Sequence, residues 1–366
     1  MPDKDNHVRV YSSTFTGAAL VLLSLAIVLG DIECQNATEP SPPDTTSHAF
    51  TWQLEAFGDG SGSVFRQVTI IDDTLAYAVG EVHVKDSTGQ WDPLPLNVAV
   101  WNGRTFKLDR VDVKYRGTQF TPPLYSVFAF SPTDIWLSAG VPIHGDGHNW
   151  TLYQLFDMGI LSSTDGSIEK IWGESPSNIY FVGKKGTIVH YDGNSWVKLT
   201  SGTSLDIQDI WGARDPTSGQ LQVLAVAAND IEKKVLQIQG SVVSSVPDSG
   251  LSASLHGIWF VPNRMYLVVG AGIGQKAQLD GSPWTVSRQG TVTTYMSGGV
   301  RGAWLNDIFV VGGYMEVVHY NGSTWHNYSG QMQPSDGALG GISIGHNLVM
   351  SVGVQGPSAI VLIGRR

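Results

Sequence analysis

The chain has 366 residues, a single cysteine and a formal charge of −10. Its lysines and arginines form no cluster larger than Lys184-Lys185 or Lys233-Lys234, which argues against nucleic acid, a partner that needs a basic stripe. Hydrophobic residues make up 42%, enough for a large core, and 43 glycines suit a chain that turns often, so a wholly disordered polypeptide is excluded.

Met1 to Val10 carries Lys4 and Arg9, and Tyr11 to Gly30 then runs without a charge. This pattern predicts an N-terminal hydrophobic helix, either a signal peptide or a membrane anchor. The lone cysteine follows in Asp31-Ile32-Glu33-Cys34, and its position resembles a bacterial lipoprotein signal, in which the mature chain begins at a lipidated cysteine. Asp31 and Glu33 depart from the small or aliphatic residues of that pattern. Residues 1–34 therefore allow lipidation at Cys34, an uncleaved anchor, or cleavage with release. Residues 35–48 are polar and proline-rich and are expected to be a disordered tether. Each outcome places the rest of the chain outside the cytoplasm, with the N-terminus as its only membrane contact.

From residue 49 to 366 the sequence repeats itself. A small residue ends an apolar run at Gly80, Gly140, Gly183, Ala227, Gly270, Gly312 and Gly353, and after the first interval the spacing is 41 to 44 residues. That period, rich in β-branched and aromatic residues with a turn signal in each cycle, predicts an all-β, seven-bladed β-propeller of four-stranded blades. The clearest unit has strands over Ile168–Trp172, Ile179–Val182 and Thr187–Tyr191 and a fourth from Trp196, separated by Ser175-Pro176-Ser177-Asn178, Lys184-Lys185-Gly186 and Asp192-Gly193-Asn194 turns. The seventh unit, from Gly340, supplies only three strands. An unpaired edge invites aggregation, so a strand near 49–58 is expected to complete it. Trp172, Trp211, Trp259 and Trp304 are read as inner-strand repeat residues and Trp196, Trp284 and Trp325 as outer-strand ones, packing blade on blade. Trp150 falls in register, and Trp91 sits in an insertion.

The candidate site lies in blades one and two. His144-Gly145-Asp146-Gly147-His148, read as the loop between the second and third strands of blade two, places three potential ligands at alternate positions, where imidazole would favour zinc, copper or nickel. A solvated loop carrying histidines is the competing reading, and no resident metal or cofactor is assigned. Loops between strands two and three, and between blades, share one face of a propeller. That face is expected to gather the Glu81 to Asn97 insertion with Trp91, the His144 loop, and the connector bearing Tyr115, Arg116 and Phe120, as long loops on a rigid scaffold do.

The phrases IWGESPSNIYFVG and HYDGNSW resemble the repeats of bacterial exported propellers of the glucosyltransferase-like, photosystem II assembly factor-like and sialidase-type groups. The resemblance covers 49–366 and implies the fold rather than an activity. A sialidase would need full Ser-X-Asp-X-Gly-X-X-Trp boxes; Asp192 and Asp280 stand in Asp-Gly-X-X-Trp, one residue short, and read as turn formers. Gly270 to Gly274 opens no helix and is not a phosphate loop. Two functions remain: a monomeric module binding a protein or glycan of the cell envelope, and a glycoside hydrolase drawing two carboxylates from Glu81, Asp86, Asp92 or Asp146.

Overall fold

The computed structural model describes residues 45–60, 62–332 and 336–366, so the signal or anchor at 1–34, the lipidation at Cys34 and most of the tether lie outside the described residues. Short apolar runs punctuated by Gly, Asn and Asp form strands, every pairing among them is antiparallel, and seven four-stranded sheets result. Blade one comprises Val64–Asp72, Leu75–Val82, Leu96–Trp101 and Phe106–Asp109; blade two comprises Ser126–Ser131, Asp134–Ser138, Pro142–Gly145 and Trp150–Leu152. Blades three to six begin at Ile168–Ser175, Ile207–Arg214, Leu255–Val261 and Ser297–Trp304. Each innermost strand touches those of both neighbouring blades, and the last closes on the first, so the seven innermost strands enclose a central channel. The structure is an all-β, seven-bladed propeller.

Blade seven is built from Ala338–Ile344, Leu348–Gln355 and Ser358–Arg365, with Thr51–Phe57 as its outer strand. The closing strand pairs in unbroken register from Thr51 opposite Arg365 to Phe57 opposite Ala359. The expected closure by residues 49–58 is therefore present. The core is divided into seven apolar clusters, each lying between two neighbouring blades. Aromatic side chains set the blade spacing. The Trp172 ring lies over Gly212 and the Trp259 ring over Gly302, each on the next blade, where a Cβ would strike the indole. Burying each such ring contributes about 2–3 kcal/mol.

One tryptophan breaks the expected pattern. Trp172, Trp211 and Trp259 pair with Tyr180, Leu224 and Leu267, but the equivalent position in blade six, opposite Phe309, is Arg301. Trp304 sits three residues further on and is 38% exposed. The Gly-Ala that follows Arg301 mimics the repeat and displaces the sequence alignment.

The last residues assigned to the tether are held by the ring. The Thr46 amide donates to the Asn321 carbonyl at 3.0 Å, the Tyr328 hydroxyl donates to the His48 carbonyl at 2.8 Å, and Phe50 is buried between blades six and seven. The polar composition of 35–48 concealed the contacts of Thr46 and His48 because backbone groups, one hydroxyl and one imidazole make them.

His48 also forms a titratable latch. Its Nδ1 lies 2.9 Å from Nδ1 of fully buried His319, whose Nε2 is 3.0 Å from Asp307; Arg366 bonds the same carboxylate, and the His326 ring is 5.2 Å from that of His48. Of two facing Nδ1 atoms one must be bare to accept, so the two rings cannot both be imidazolium. Burial, then His319 and His326, hold His48 below the ordinary value of 6.5. The folded state thus takes up the His48 proton less readily than the unfolded state, and stability is lost as pH falls below 6.5. Urea midpoints are expected to drop between about pH 7.5 and about pH 5, with a shallower drop in His48→Gln; equal slopes would dismiss the latch.

Candidate functional site

The connector after blade one forms a hairpin, Val113–Tyr115 with Thr118–Phe120, that packs beside the outer strand of blade two. Between them lies an open cleft of about 580 Å³ lined by Arg110, Asp112, Lys114, Gln119, His148 and Trp150, the Asp112 carboxylate accepting from the Gln119 and Thr121 side chains. Arg110 is bound to Asp92 and the Leu94 carbonyl, whereas among the described residues no hydrogen bond or ion pair engages the Lys114 ammonium, which lines the cleft. At the hairpin tip the Tyr115 hydroxyl donates to Asp157 at 2.9 Å, and Arg116 meets the same carboxylate at 3.2 Å. Asp157 belongs to the long connection between Leu152 and Ile168, which the sequence reading had not counted among the elaborate loops. Phe120 is exposed, and Trp91 stands apart, its ring against Gly60 and 4.9 Å from the Lys85 ammonium.

The His144 segment is not the loop between strands two and three. His144 lies in the third strand, Pro142–Gly145, and Asp146 to Asn149 form the hairpin to the fourth, at the opposite end of the blade from interblade connections. The sequence HGDGHNW aligns with HYDGNSW of blade three and HYNGSTW of blade six. His144 Nε2 bonds Asp134 at 2.8 Å, as His190 bonds Asn178 at 2.8 Å and His319 bonds Asp307 at 3.0 Å. The His144 ring stacks on Trp136 at 4.2 Å. Asp146 accepts the amides of His148 and Asn149, as Asp192 accepts those of Asn194 and Ser195. These bonds, those from Asn149 foremost, lower the Asp146 carboxyl to about 2. His144 and Asp146 are repeat residues committed to their own blade, and only His148 reaches the cleft. Among the described residues no group of three or more His, Cys, Asp or Glu side chains is placed to hold a metal ion.

The carboxylates proposed for hydrolysis are also engaged. Glu81 lies near Arg66 and His83, Asp86 caps its own loop through Thr88 and Gln90, and Asp92 bonds Arg110. Hydrogen bonds hold Asp86 and Asp92 below the usual carboxylate range, Asp86 chiefly through the Thr88 side chain and Asp92 chiefly through the Leu94 amide. Neither is poised as a proton donor near neutrality.

Sequence reasoning missed the central channel. Its wider part, about 190 Å³, is walled by Phe128, Trp172, Trp211, Arg301 and Ile344. It narrows to about 10 Å³ among Gln67, Lys170, Asp209, His256 and Arg301. Asp209 receives both Arg301 nitrogens at 2.8 and 2.9 Å and the Ile258 amide at 3.0 Å. Arg301 lies over the Trp211 ring at 5.1 Å. Burial pushes the Lys170 ammonium below the ordinary lysine value, against the pull of Asp209. The signal was present in sequence: Lys170 and Asp209 each stand two residues before a repeat tryptophan, where blade five has Gly257.

No family model matches the chain, and no curated protein matches it. Solved structures do. A structure of YCF48 bound to a D1 peptide aligns with a TM-score of 0.63 at 15% identity, covering 90% of this chain and all of that one. YCF48 from Cyanidioschyzon merolae aligns at 0.57 and 15%, covering 86% and 98%. The WD40 β-propeller domain of Doa1 aligns at 0.58 and 14%, covering 87% and 98%. What they share with this chain is the propeller fold. At these identities the residues of the cleft and channel stand on their own chemistry.

Proposed function

We propose that the chain is an extracytoplasmic propeller, tethered through its N-terminus, that binds a protein partner in the cleft beside blade two. The observation carrying this reading is the cleft itself: an open polar groove with an unengaged Lys114 ammonium and His148 at its wall, built by a hairpin that the propeller ring does not require. Such a groove suits an extended acidic segment, whose carboxylates would meet Lys114, the Asp112 carboxylate beside it being already engaged by Gln119 and Thr121. The YCF48 structure with a D1 peptide supports the reading by showing a propeller of similar fold holding a peptide. The Tyr11 to Gly30 segment and Cys34 support the placement.

Two comparisons test it. Intact mass and membrane fractionation of wild type beside Cys34→Ala distinguish a lipidated mature chain from an anchored or released one; a cytoplasmic soluble chain of full length would defeat the placement. Affinity capture from an envelope fraction is expected to recover a protein that Lys114→Glu loses. Capture indifferent to Lys114→Glu, or retention of polysaccharide in its place, would reject the cleft as a protein site.

A further inference from the structure

The channel carries a charge imbalance independent of the cleft. The innermost strands contribute one residue each to a single layer, paired with Val79, Ser138, Val182, Val226, Val269, Val311 and Val352 of the second strands: Gln67, Ser126, Lys170 and Asp209 on one side, and Gly257, Gly299 and Gly341 on the other. Arg301 reaches across from the adjacent layer and is neutralised by Asp209 through two bonds. Lys170 is the remaining cation of the layer and lines the narrow part of the channel; Asp209 and Glu169 attract it from a distance, but among the described residues no hydrogen bond or ion pair holds its ammonium. Gln67 is 8% exposed, lines both the wide and narrow cavities, and its Oε1 is buried without a partner. Its amide offers two N–H donors once the terminal group is turned. The Gln67 amide is buried and lacks a partner, a costly state, and it faces the same space as the partly exposed Lys170 ammonium, so the two call for a shared occupant.

We propose that the central channel binds the carboxylate of a ligand with an aromatic or branched apolar tail. One carboxylate oxygen fits the narrow space of about 10 Å³, which matches the room a single water needs. There it accepts from Lys170 Nζ and from the Gln67 amide. The tail occupies the wider space of about 190 Å³, between Phe128, Trp172 and Trp211. Asp209 repels the anion, but both its oxygens already accept from Arg301 and Ile258, which leaves Lys170 to set the local sign. A free small acid and the C-terminal residue of a peptide present this same carboxylate.

The experiment uses the quenching of tryptophan fluorescence by four probes: phenylacetate, phenylacetamide, and Gly-Gly-Phe with a free or an amidated C-terminus. The expected result is saturable quenching by one or both acids and none by the matched amides, weakened about 30-fold or more in Lys170→Met. Lys170→Gln serves as a second variant, and urea midpoints establish that each variant is folded. A response to phenylacetate identifies a free acid as ligand, and a response to the free-acid peptide alone identifies a chain terminus. Equal responses to acid and amide, binding unchanged in a folded Lys170 variant, or no saturation by any probe would overturn the proposal.

Discussion

Removal of residues 45–57 should abolish cooperative unfolding rather than shift its midpoint. The deletion takes away the closing strand, its register along Ser358–Arg365, and the Phe50, Trp52 and Phe57 side chains packed between blades. Truncating one large core aromatic such as Phe50 costs about 3–5 kcal/mol, and the partly buried Trp52 and Phe57 add to it, against the 5–15 kcal/mol by which a domain is stable. The loss also uncovers the edge of Ser358–Arg365, whose central six residues are buried. A urea titration followed by far-UV circular dichroism should become broad, with exposed apolar surface binding a hydrophobic dye. A sharp transition retained in the deleted protein would mean that blade seven closes without this strand.

The second large effect is expected at Asp209. Asp209 and Arg301 come from blades four and six and meet inside the channel, with side-chain exposures of 5% and 15%. Asp209→Ala leaves the guanidinium enclosed without its counter-charge, which should cost about 3–5 kcal/mol. Adding Arg301→Met should return much of that loss, because removing both charges removes the penalty as well as the bond. Urea unfolding of the single and double variants measures this. A cost below about 1 kcal/mol in Asp209→Ala would place the pair among exposed bridges of little consequence.

The ring was legible because a propeller writes its architecture as a period. Gly183, Ala227, Gly270, Gly312 and Gly353 mark the end of the same strand in successive blades, and the three-stranded seventh unit announced the need for a returning strand. The site was less legible for the same reason. His144 and Asp146 drew attention as irregular chemistry, yet they occupy the positions of His190 and Asp192 and perform the same local bonding. Read in register, only His148 was free to face outward. Lys170 and Arg301 were hidden for the opposite reason: each sits at a repeat position that apolar or small neighbours made ordinary, and Trp304 drew the sixth repeat out of alignment. Which of several loops meet in space, as Asp157 meets Arg116, depends on tertiary packing that no period records.

The three glycines of the channel layer make its bore asymmetric. None of Gly257, Gly299 and Gly341 has a left-handed backbone, so the geometry of the chain would admit any residue there; the neighbours crowd Gly257 and exclude a side chain at Gly299 and Gly341. A Cβ on Gly299 would lie 2.3 Å from the Gly340 carbonyl oxygen, and one on Gly341 would lie 2.8 Å from the Gln67 Cα. By contrast, nothing stands within 4 Å of the Cβ direction of Gly340, itself a residue of the narrow passage. Among these glycines Gly340 is the position with open space, so the bore can be narrowed or recharged there while the four side chains opposite keep their places.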